Sequence, residues 1–319
     1  IRRRIEQLAA RRAHNPEVVG SSPTPARSGS QDCEPLFLRF YMIVDFHTHI
    51  WPDSLAKKAI TELSKNLQDG YEHFSDGTAS GLIQKMDEWN IDKSIVLPVQ
   101  TKASQSKTIN EYAFSINQNE KYKDRIISFG GIWPYTENIK EDIDFIVAHN
   151  FKGIKFHPEY QRFNVDDKRF FPLYEYALSK GLILIFHAGV DITVKDYLHS
   201  SPKQFKHLAE EMKGGIIVAA HLGGHLQTDE AIEVLAGSSV YIDTSMGFGF
   251  YGKENFLKMV AAHGAEKILF ASDSPWGNAK EELENIFSLP LAEEEKNLIL
   301  SGNAIRLLEA EKIGYSVYS

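Results

Sequence analysis

The chain has 319 residues, of which 43% are hydrophobic and 24% are charged, with a formal net charge of −8 and a single cysteine. This composition excludes a disordered chain, and one cysteine excludes an internal disulfide and a multi-cysteine zinc site. The acidic balance disfavours a general nucleic-acid-binding protein, and the apolar runs are too short to span a bilayer. We therefore expect a globular, cytoplasmic enzyme or small-molecule-binding protein with no nucleic-acid or membrane partner.

The first part of the chain, residues 1–41, differs from the rest in charge and texture. It holds seven Arg and four acidic residues, a net charge of +3, whereas residues 42–319 carry −11. Its Pro-, Ser- and Gly-rich stretch has too little apolar content to form a core. It has no apolar run typical of a secretory signal, and Glu6 and Glu17 disfavour an organellar transit peptide. We expect a tail outside the domain and favour a mis-assigned start, with Met42 opening the domain.

From Met42 onward, short runs of branched apolar residues alternate with amphipathic stretches. The runs are continuously apolar, which is typical of strands buried on both faces. Most of them begin about one strand-plus-helix unit apart, and a longer gap follows the first. The eight predicted strands cover residues 43–46, 94–97, 126–131, 153–156, 182–186, 216–220, 240–242 and 268–271.

Helix signals lie between these runs. Asp53 is predicted to be the N-cap of a helix over residues 54–67. Apolar residues at helical spacing predict a helix over residues 80–89, and several predicted helices end on glycine, as C-caps often do. Further predicted helices cover residues 140–149, 172–180, 202–212, 229–236 and 254–263.

Eight strand-then-helix units in residues 42–319 predict an α/β protein with a (β/α)8 TIM barrel. A doubly wound open sheet is the structural alternative, but no G-x-G-x-x-G pattern follows the first predicted strand. In a TIM barrel the chemistry lies where the strands end. Five histidines follow four of the predicted strands, and they are His47, His49, His157, His187 and His221.

These residue types favour a metal site. His47 and His49 are two positions apart, so in an extended chain their rings lie on the same side. Imidazole is a good ligand for zinc and related ions, and His187 and Asp273 follow two other strands. Three histidines and one carboxylate are typical of a catalytic metal site with room for water. The alternative is a set of hydrogen-bonded polar residues that fills the barrel mouth.

Five motifs follow the strands in chain order. They are His47-Thr48-His49, Gly-Ile-Lys-Phe-His-Pro at 153–158, His-Ala-Gly at 187–189, His-Leu-Gly-Gly at 221–224 and Ser-Asp-Ser-Pro-Trp at 272–276. Together they resemble the amidohydrolase superfamily, and within it the amidohydrolase-2 branch that includes aminocarboxymuconate-semialdehyde decarboxylase. The resemblance extends from Met42 to about Leu308.

The resemblance implies a role for each matching residue. His47, His49, His187 and Asp273 would bind one divalent ion, with zinc favoured and manganese as the alternative. Asp273 would also act as the base toward the attacking water. His221 would either bind a second metal ion or orient and polarise the water and the substrate.

Lys155 leaves the number of metal ions open. In binuclear members of the superfamily a carboxylated lysine at this strand bridges two metals. A buried ammonium is costly, so Lys155 must be carboxylated, pair with an acid or bind an anionic substrate. We favour a substrate-binding or network role, with His157 beside it, and one ion.

Two tryptophans, Trp51 and Trp276, follow the first and last motifs and either line the substrate pocket or serve packing. The favoured function is a metal-dependent hydrolase of an amide, lactone or ester of a small, carboxylated substrate. The alternatives are a metal-dependent decarboxylase or hydratase of the same branch and a non-catalytic barrel. By analogy with the fold, the chain is expected to form a homodimer.

Overall fold

Parallel strands alternate with helices along the residues that the computed structural model describes, which are 41–65, 72–194 and 198–309. The predicted tail, apart from Tyr41, lies outside the described residues. Tyr41 itself packs on Phe287, with ring centroids 5.4 Å apart. The strands are Val44–Thr48 (β1), Lys93–Val96 (β2), Ile126–Ser128 (β3), Gly130–Gly131 (β4), Gly153–Phe156 (β5), Ile183–Phe186 (β6), Ile217–Ala219 (β7), Tyr241–Asp243 (β8) and Ile268–Leu269 (β9).

The strands form two parallel sheets, in the orders β1-β2-β3 and β4-β5-β6-β7-β8-β9. β3 and β4 are the two halves of the third predicted strand, so this single strand connects the two sheets. The last strand returns to the first, since Phe46 N–H donates to the carbonyl of Phe270 at 2.8 Å and Thr48 pairs in parallel with Ser274. The predicted (β/α)8 TIM barrel is thereby confirmed.

Most predicted helices are present with their ends shifted by a residue or two. The α-helices are Asp53–Ser64 (α1), Ala79–Trp89 (α2), Ser106–Gln118 (α3), Ile139–Ala148 (α4), Pro158–Gln161 (α5), Phe171–Ser179 (α6), Pro202–Glu211 (α7), Thr228–Leu235 (α8), Phe248–His263 (α9), Ala279–Ser288 (α10), Glu293–Asn297 (α11) and Asn303–Glu309 (α12). None of the described helices is both long and apolar enough to cross a membrane.

Several helical details differ from the prediction. The helix predicted over residues 54–67 ends at Ser64, and its predicted residues 66 and 67 lie outside the described part of the chain. The helix predicted over residues 254–263 begins earlier, at Phe248. Asp53 is not the N-cap of α1: Pro52 occupies that position, and Asp53 is the first helical residue. A carboxylate in the first turn still interacts favourably with the helix dipole. The helices α3, α5, α10 and α11 were not predicted, although Ile109, Ala113 and Ile116 of α3 do recur at helical spacing. Asn110 of α3 exchanges two hydrogen bonds with the backbone of Gly131, at 2.8 and 2.9 Å.

Buried apolar residues form two layers on either side of the strands. Ile154 and Phe156 of β5 belong to the layer that packs against the helices. Alternate residues of other strands, such as Ile183 and Ile185 of β6, belong to a smaller cluster that also includes Leu307 of α12. Burial on both faces explains why the strands read as continuous apolar runs.

Irregular backbone occurs where β1 and the segment after β9 meet. The pairing of β1 with β2 shifts register between Asp45 and Thr48. Asp273 and His221 both have positive φ, at 66° and 58°, a region that non-glycine residues adopt at a cost. The Asp273 N–H donates to the carbonyl of His47 at 2.8 Å, which holds the two side chains at the same end of the barrel.

Candidate metal centre

One cavity of about 640 Å³ opens at the carboxyl ends of the strands. All nine residues that the sequence assigned to the site line it. Its size lies within the range of small-molecule sites, which is about 300–1,000 Å³. The structure thus gathers residues that are up to 229 positions apart in the sequence, from Trp276 back to His47.

Three of the predicted ligands converge on one point. Asp273 Oδ1 lies 3.1 Å from His49 Nε2 and 3.5 Å from His47 Nε2. The two Nε2 atoms lie 3.2 Å from each other. These spacings place three ligand atoms within reach of a single ion.

The hydrogen bonds of the other ring nitrogens assign the protons. His47 Nδ1 lies 2.9 Å from Asp243 Oδ2, and His49 Nδ1 lies 2.7 Å from the carbonyl of Leu97. A carboxylate and a carbonyl only accept, so each Nδ1 carries a proton, and the neutral form of each ring has its lone pair on Nε2. In that form two lone pairs and the Asp273 carboxylate face one another, which is the donor set that a divalent cation requires.

Three buried groups of the centre have shifted pKa values. Burial, together with the nearby Lys155 ammonium, lowers the pKa of His47 to about 4. Burial acts to raise the pKa of Asp273, but His47 and His49 outweigh it and the pKa falls to about 2. The pKa of Asp243 is also lowered, because His47 and the hydrogen bonds of Ser245 outweigh its burial. Neutral imidazole and ionised carboxylate are the ligand states that bind metal.

His187 lies in a neighbouring group with His157 and Asp191, whose ligand atoms are within 4.8 Å of one another. The His157 and His187 rings stack, with centroids 4.3 Å apart. His187 Nε2 is buried and has no hydrogen-bond partner among the described residues. An unpaired buried nitrogen is costly, so it fits an atom that binds a ligand.

His157 is less suited to a metal than His187. Its Nδ1 accepts the Tyr160 N–H at 3.4 Å, which leaves the ring proton on Nε2. That nitrogen lies 3.5 Å from Asp191 Oδ2. His157 is therefore a hydrogen-bond donor into the cavity, as a substrate-binding residue would be.

His221 lies between the two groups of ligands. Its Nε2 is 3.0 Å from His187 Nδ1, its Nδ1 is 2.7 Å from Ser245 Oγ, and its ring stacks on His47 at 5.3 Å. Both ring nitrogens are thus engaged within the protein. A direct contact between His221 and a substrate or a second ion requires one of these bonds to open.

Lys155 is buried, with 1% of its surface exposed, and its Nζ lies 3.0 Å from His47 Nε2. Burial lowers the pKa of its ammonium to about 8, against the opposing effect of Asp243 and Asp273. No ion pair joins it to a carboxylate among the described residues. Of the three states considered for Lys155, direct pairing with an acid is therefore the one that this arrangement does not show.

Trp51 and Trp276 stand on the cavity wall, and both are partly buried. The Trp51 backbone is tied to its neighbours, because its carbonyl accepts the Tyr112 hydroxyl at 3.1 Å and its N–H donates to Gly77 at 2.8 Å. The position of both tryptophans suits contact with a substrate.

Sequence reasoning missed Ser245 and Asp191. Ser245 follows Asp243 by two residues at the end of β8, so the same i, i+2 argument that linked His47 and His49 would have paired them. Asp191 lies in the segment after β6, where no spacing pattern marks it.

Comparisons with known proteins agree with this arrangement. The model of the amidohydrolase-2 family, described as amidohydrolase, matches residues 44–310. No curated protein matches the chain significantly. Among solved structures, an uncharacterised TIM-barrel protein from Bordetella bronchiseptica is 20% identical, covers 84% of this chain and 98% of its own, and has a TM-score of 0.68.

Two further structures have known or assigned activities. The 5-carboxyvanillate decarboxylase from Novosphingobium aromaticivorans, solved with manganese, is 14% identical, with 89% and 100% of the two chains covered and a TM-score of 0.63. A probable 2-pyrone-4,6-dicarboxylic acid hydrolase from Acinetobacter baumannii, solved with citric acid, is 14% identical, with 83% and 98% covered and a TM-score of 0.56. At these identities the likeness establishes the fold.

Proposed function

The chain belongs to the amidohydrolase-2 family, and on that premise we propose that it is a metal-dependent hydrolase of a small, carboxylated amide, lactone or ester. The observation that carries the proposal is the convergence of three ligand atoms, the Nε2 atoms of His47 and His49 and a carboxylate oxygen of Asp273. Family membership and these His/Asp groups support a divalent metal ion. Zinc is our proposal for its identity, and a similar structure that contains manganese supports the alternative.

The proposed site holds the ion with His47, His49, Asp273 and the free Nε2 of His187. An ion bound there would lower the pKa of a water molecule toward neutrality and polarise a carbonyl group. Asp273 is ionised at neutral pH, so its carboxylate is available to accept a proton from the attacking water. His221 Nε2 lies 3.0 Å from His187 Nδ1, and we propose that this hydrogen bond orients the His187 ring toward the ion.

Substrate recognition is proposed for Lys155, His157, Trp51 and Trp276. The buried Lys155 ammonium has no acidic partner within ion-pair distance among the described residues, and a substrate carboxylate would supply one. The Nε2–H of His157 faces the same cavity, and the tryptophans form part of its wall. We propose that Lys155 is unmodified and that one ion binds per chain.

Decarboxylation is the second candidate. It is supported by the decarboxylase among the similar structures and by a buried cation that can hold a carboxylate beside the metal centre. The proposal as a whole includes a small-molecule substrate, no nucleic-acid or membrane partner, a cytoplasmic location and a homodimer.

A substrate screen on metal-loaded protein tests the proposal. Lactones, esters and amides of small carboxylic acids form one set, and aromatic carboxylic acids form the other. Hydrolysis that a chelator abolishes and zinc or manganese restores supports the first candidate, and metal-dependent release of carbon dioxide supports the second. Turnover of neither set by a metal-replete protein would favour a non-catalytic barrel.

A further inference from the structure

The Asp243 carboxylate, at the end of β8, is fully buried and surrounded by donors. Its Oδ2 accepts the His47 Nδ1–H at 2.9 Å. Its Oδ1 accepts the backbone N–H groups of His221 and Ser245, at 2.9 and 3.0 Å, and the Ser245 hydroxyl. A carboxylate has about four lone-pair positions, so this one is saturated with hydrogen bonds.

The Ser245 hydroxyl has only one proton, and Asp243 receives it. The hydroxyl oxygen also lies 2.7 Å from His221 Nδ1 and 3.2 Å from His47 Nδ1, and because its own proton goes to Asp243 it can only accept at these two contacts. This assigns the proton of the neutral His221 ring to Nδ1 and leaves its lone pair on Nε2.

The same reasoning extends one residue further. His221 Nε2 lies 3.0 Å from His187 Nδ1, and because it is a lone pair it must accept a proton there. His187 consequently carries its proton on Nδ1 and its lone pair on Nε2. That Nε2 is the buried atom without a hydrogen-bond partner among the described residues.

We infer that Ser245 is a positioning residue, which fixes the tautomers of His221 and His187 so that His187 presents the Nε2 lone pair as a metal ligand. The inference rests on the proposed metal site. Through it, one carboxylate prepares ligands on two strands: Asp243 acts directly on His47 of β1, and through Ser245 and His221 on the residue that follows β6. Ser245 itself is fully buried and is not part of the cavity wall.

Removal of the hydroxyl releases this constraint. In Ser245→Ala, the His221 Nδ1–H loses its acceptor. The tautomer with the proton on Nε2 then becomes the more stable one. That proton then points at His187 Nδ1, which must become an acceptor and shift its own proton to Nε2. His187 in that state has no lone pair to offer a metal ion.

Nitrogen NMR of metal-free protein with labelled histidine tests the inference directly, because imidazole shifts distinguish the two tautomers. Zinc affinity is measured in parallel by competition with a chelator. The variants are Ser245→Ala, Ser245→Thr, which retains the hydroxyl, and Ser128→Ala as a matched control. Ser128 is another buried strand serine, with 1% exposure, but among the described residues its hydroxyl forms a hydrogen bond only with the Phe129 carbonyl.

We expect Ser245→Ala to shift His221 and His187 toward the Nε2–H tautomer and to weaken zinc binding roughly 10–100-fold, the usual effect of losing a residue that supports a ligand. Ser245→Thr should keep the tautomers, and Ser128→Ala should match the wild type in both measurements. Should Ser245→Ala not fold, Ser245→Cys carries the same test, since a thiol is a weak hydrogen-bonding group.

Unchanged His187 and His221 shifts in a folded Ser245→Ala or Ser245→Cys protein would overturn the inference, as would zinc affinity within about twofold of the wild type. Failure of this inference can be distinguished from failure of the proposed metal site. If the wild type binds no divalent ion, the proposed function fails, while the NMR shifts still decide whether Ser245 sets the tautomers.

Discussion

At the scale of single residues, the chemistry of the centre depends on which nitrogen of each histidine carries the proton. The sequence located the histidines, because the strand ends could be read from apolar runs and the i, i+2 spacing put His47 and His49 on one side. It could not assign protons. Those depend on Asp243, Leu97 and Ser245, which approach only after the barrel closes.

The role of Lys155 can be tested by substitution. Its ammonium lies 3.0 Å from the His47 lone pair that would face the ion, so it repels a cation there. We expect Lys155→Met to retain the metal ion, with affinity at least equal to the wild type, and to raise KM for a carboxylated substrate. Metal quantification and steady-state kinetics check both effects.

The carboxylated state of Lys155 makes the opposite prediction. It requires about two ions per wild-type chain, bicarbonate-dependent activation and loss of metal in Lys155→Met. Lys155→Arg serves as a control, since it keeps the positive charge but cannot be carboxylated in the same way. Two ions per wild-type chain, activation by bicarbonate or loss of metal in Lys155→Met would each refute an unmodified substrate-binding lysine.

At the scale of elements, helix α3 shows where sequence reading fails for a physical reason. Its inward face uses Asn110 and Asn117, seven residues apart, to bond the backbone of Gly131 and Ser128. Buried apolar residues of the same helix, Ala113 and Ile116, recur at helical spacing and can be read from the sequence. The backbone partners of the two amides lie on other elements, so those contacts are known only from the fold.

The Asn110 contact is testable by stability. Asn110→Ala leaves a buried backbone N–H and carbonyl of Gly131 unpaired, so we expect unfolding free energy to fall by roughly 1–3 kcal/mol. Asn138→Ala is the control, because Asn138 is exposed before α4 and makes no cap bond with its side chain. Equal denaturant midpoints for the two variants would show that α3 is held by its apolar residues alone.

At the scale of the whole molecule, eight parallel strand-helix units bring nine site residues into one cavity. This gathering could be predicted from the sequence, because all strands of a parallel barrel have their carboxyl ends on the same side. Substrate choice was not readable, because it depends on wall residues from several separate segments, including α1 and the segment after β6.

Metal binding should also stabilise the whole fold. An ion that binds only the folded state adds about 2.7 kcal/mol at 100 times its Kd. We therefore expect zinc to raise the Tm of metal-free protein and a chelator to reverse the change. The double variant His47→Ala/His49→Ala should show no such response, and a zinc-dependent Tm in that variant would place the ion elsewhere.

Metal quantification by plasma mass spectrometry, on protein purified without added metal, tests the central claim most directly. The proposed centre predicts about one divalent ion per wild-type chain and close to none in Asp273→Ala and His187→Ala, with folding checked by circular dichroism. A wild-type chain that contains no divalent ion after incubation with zinc or manganese, or variants that bind as much as the wild type, would contradict it.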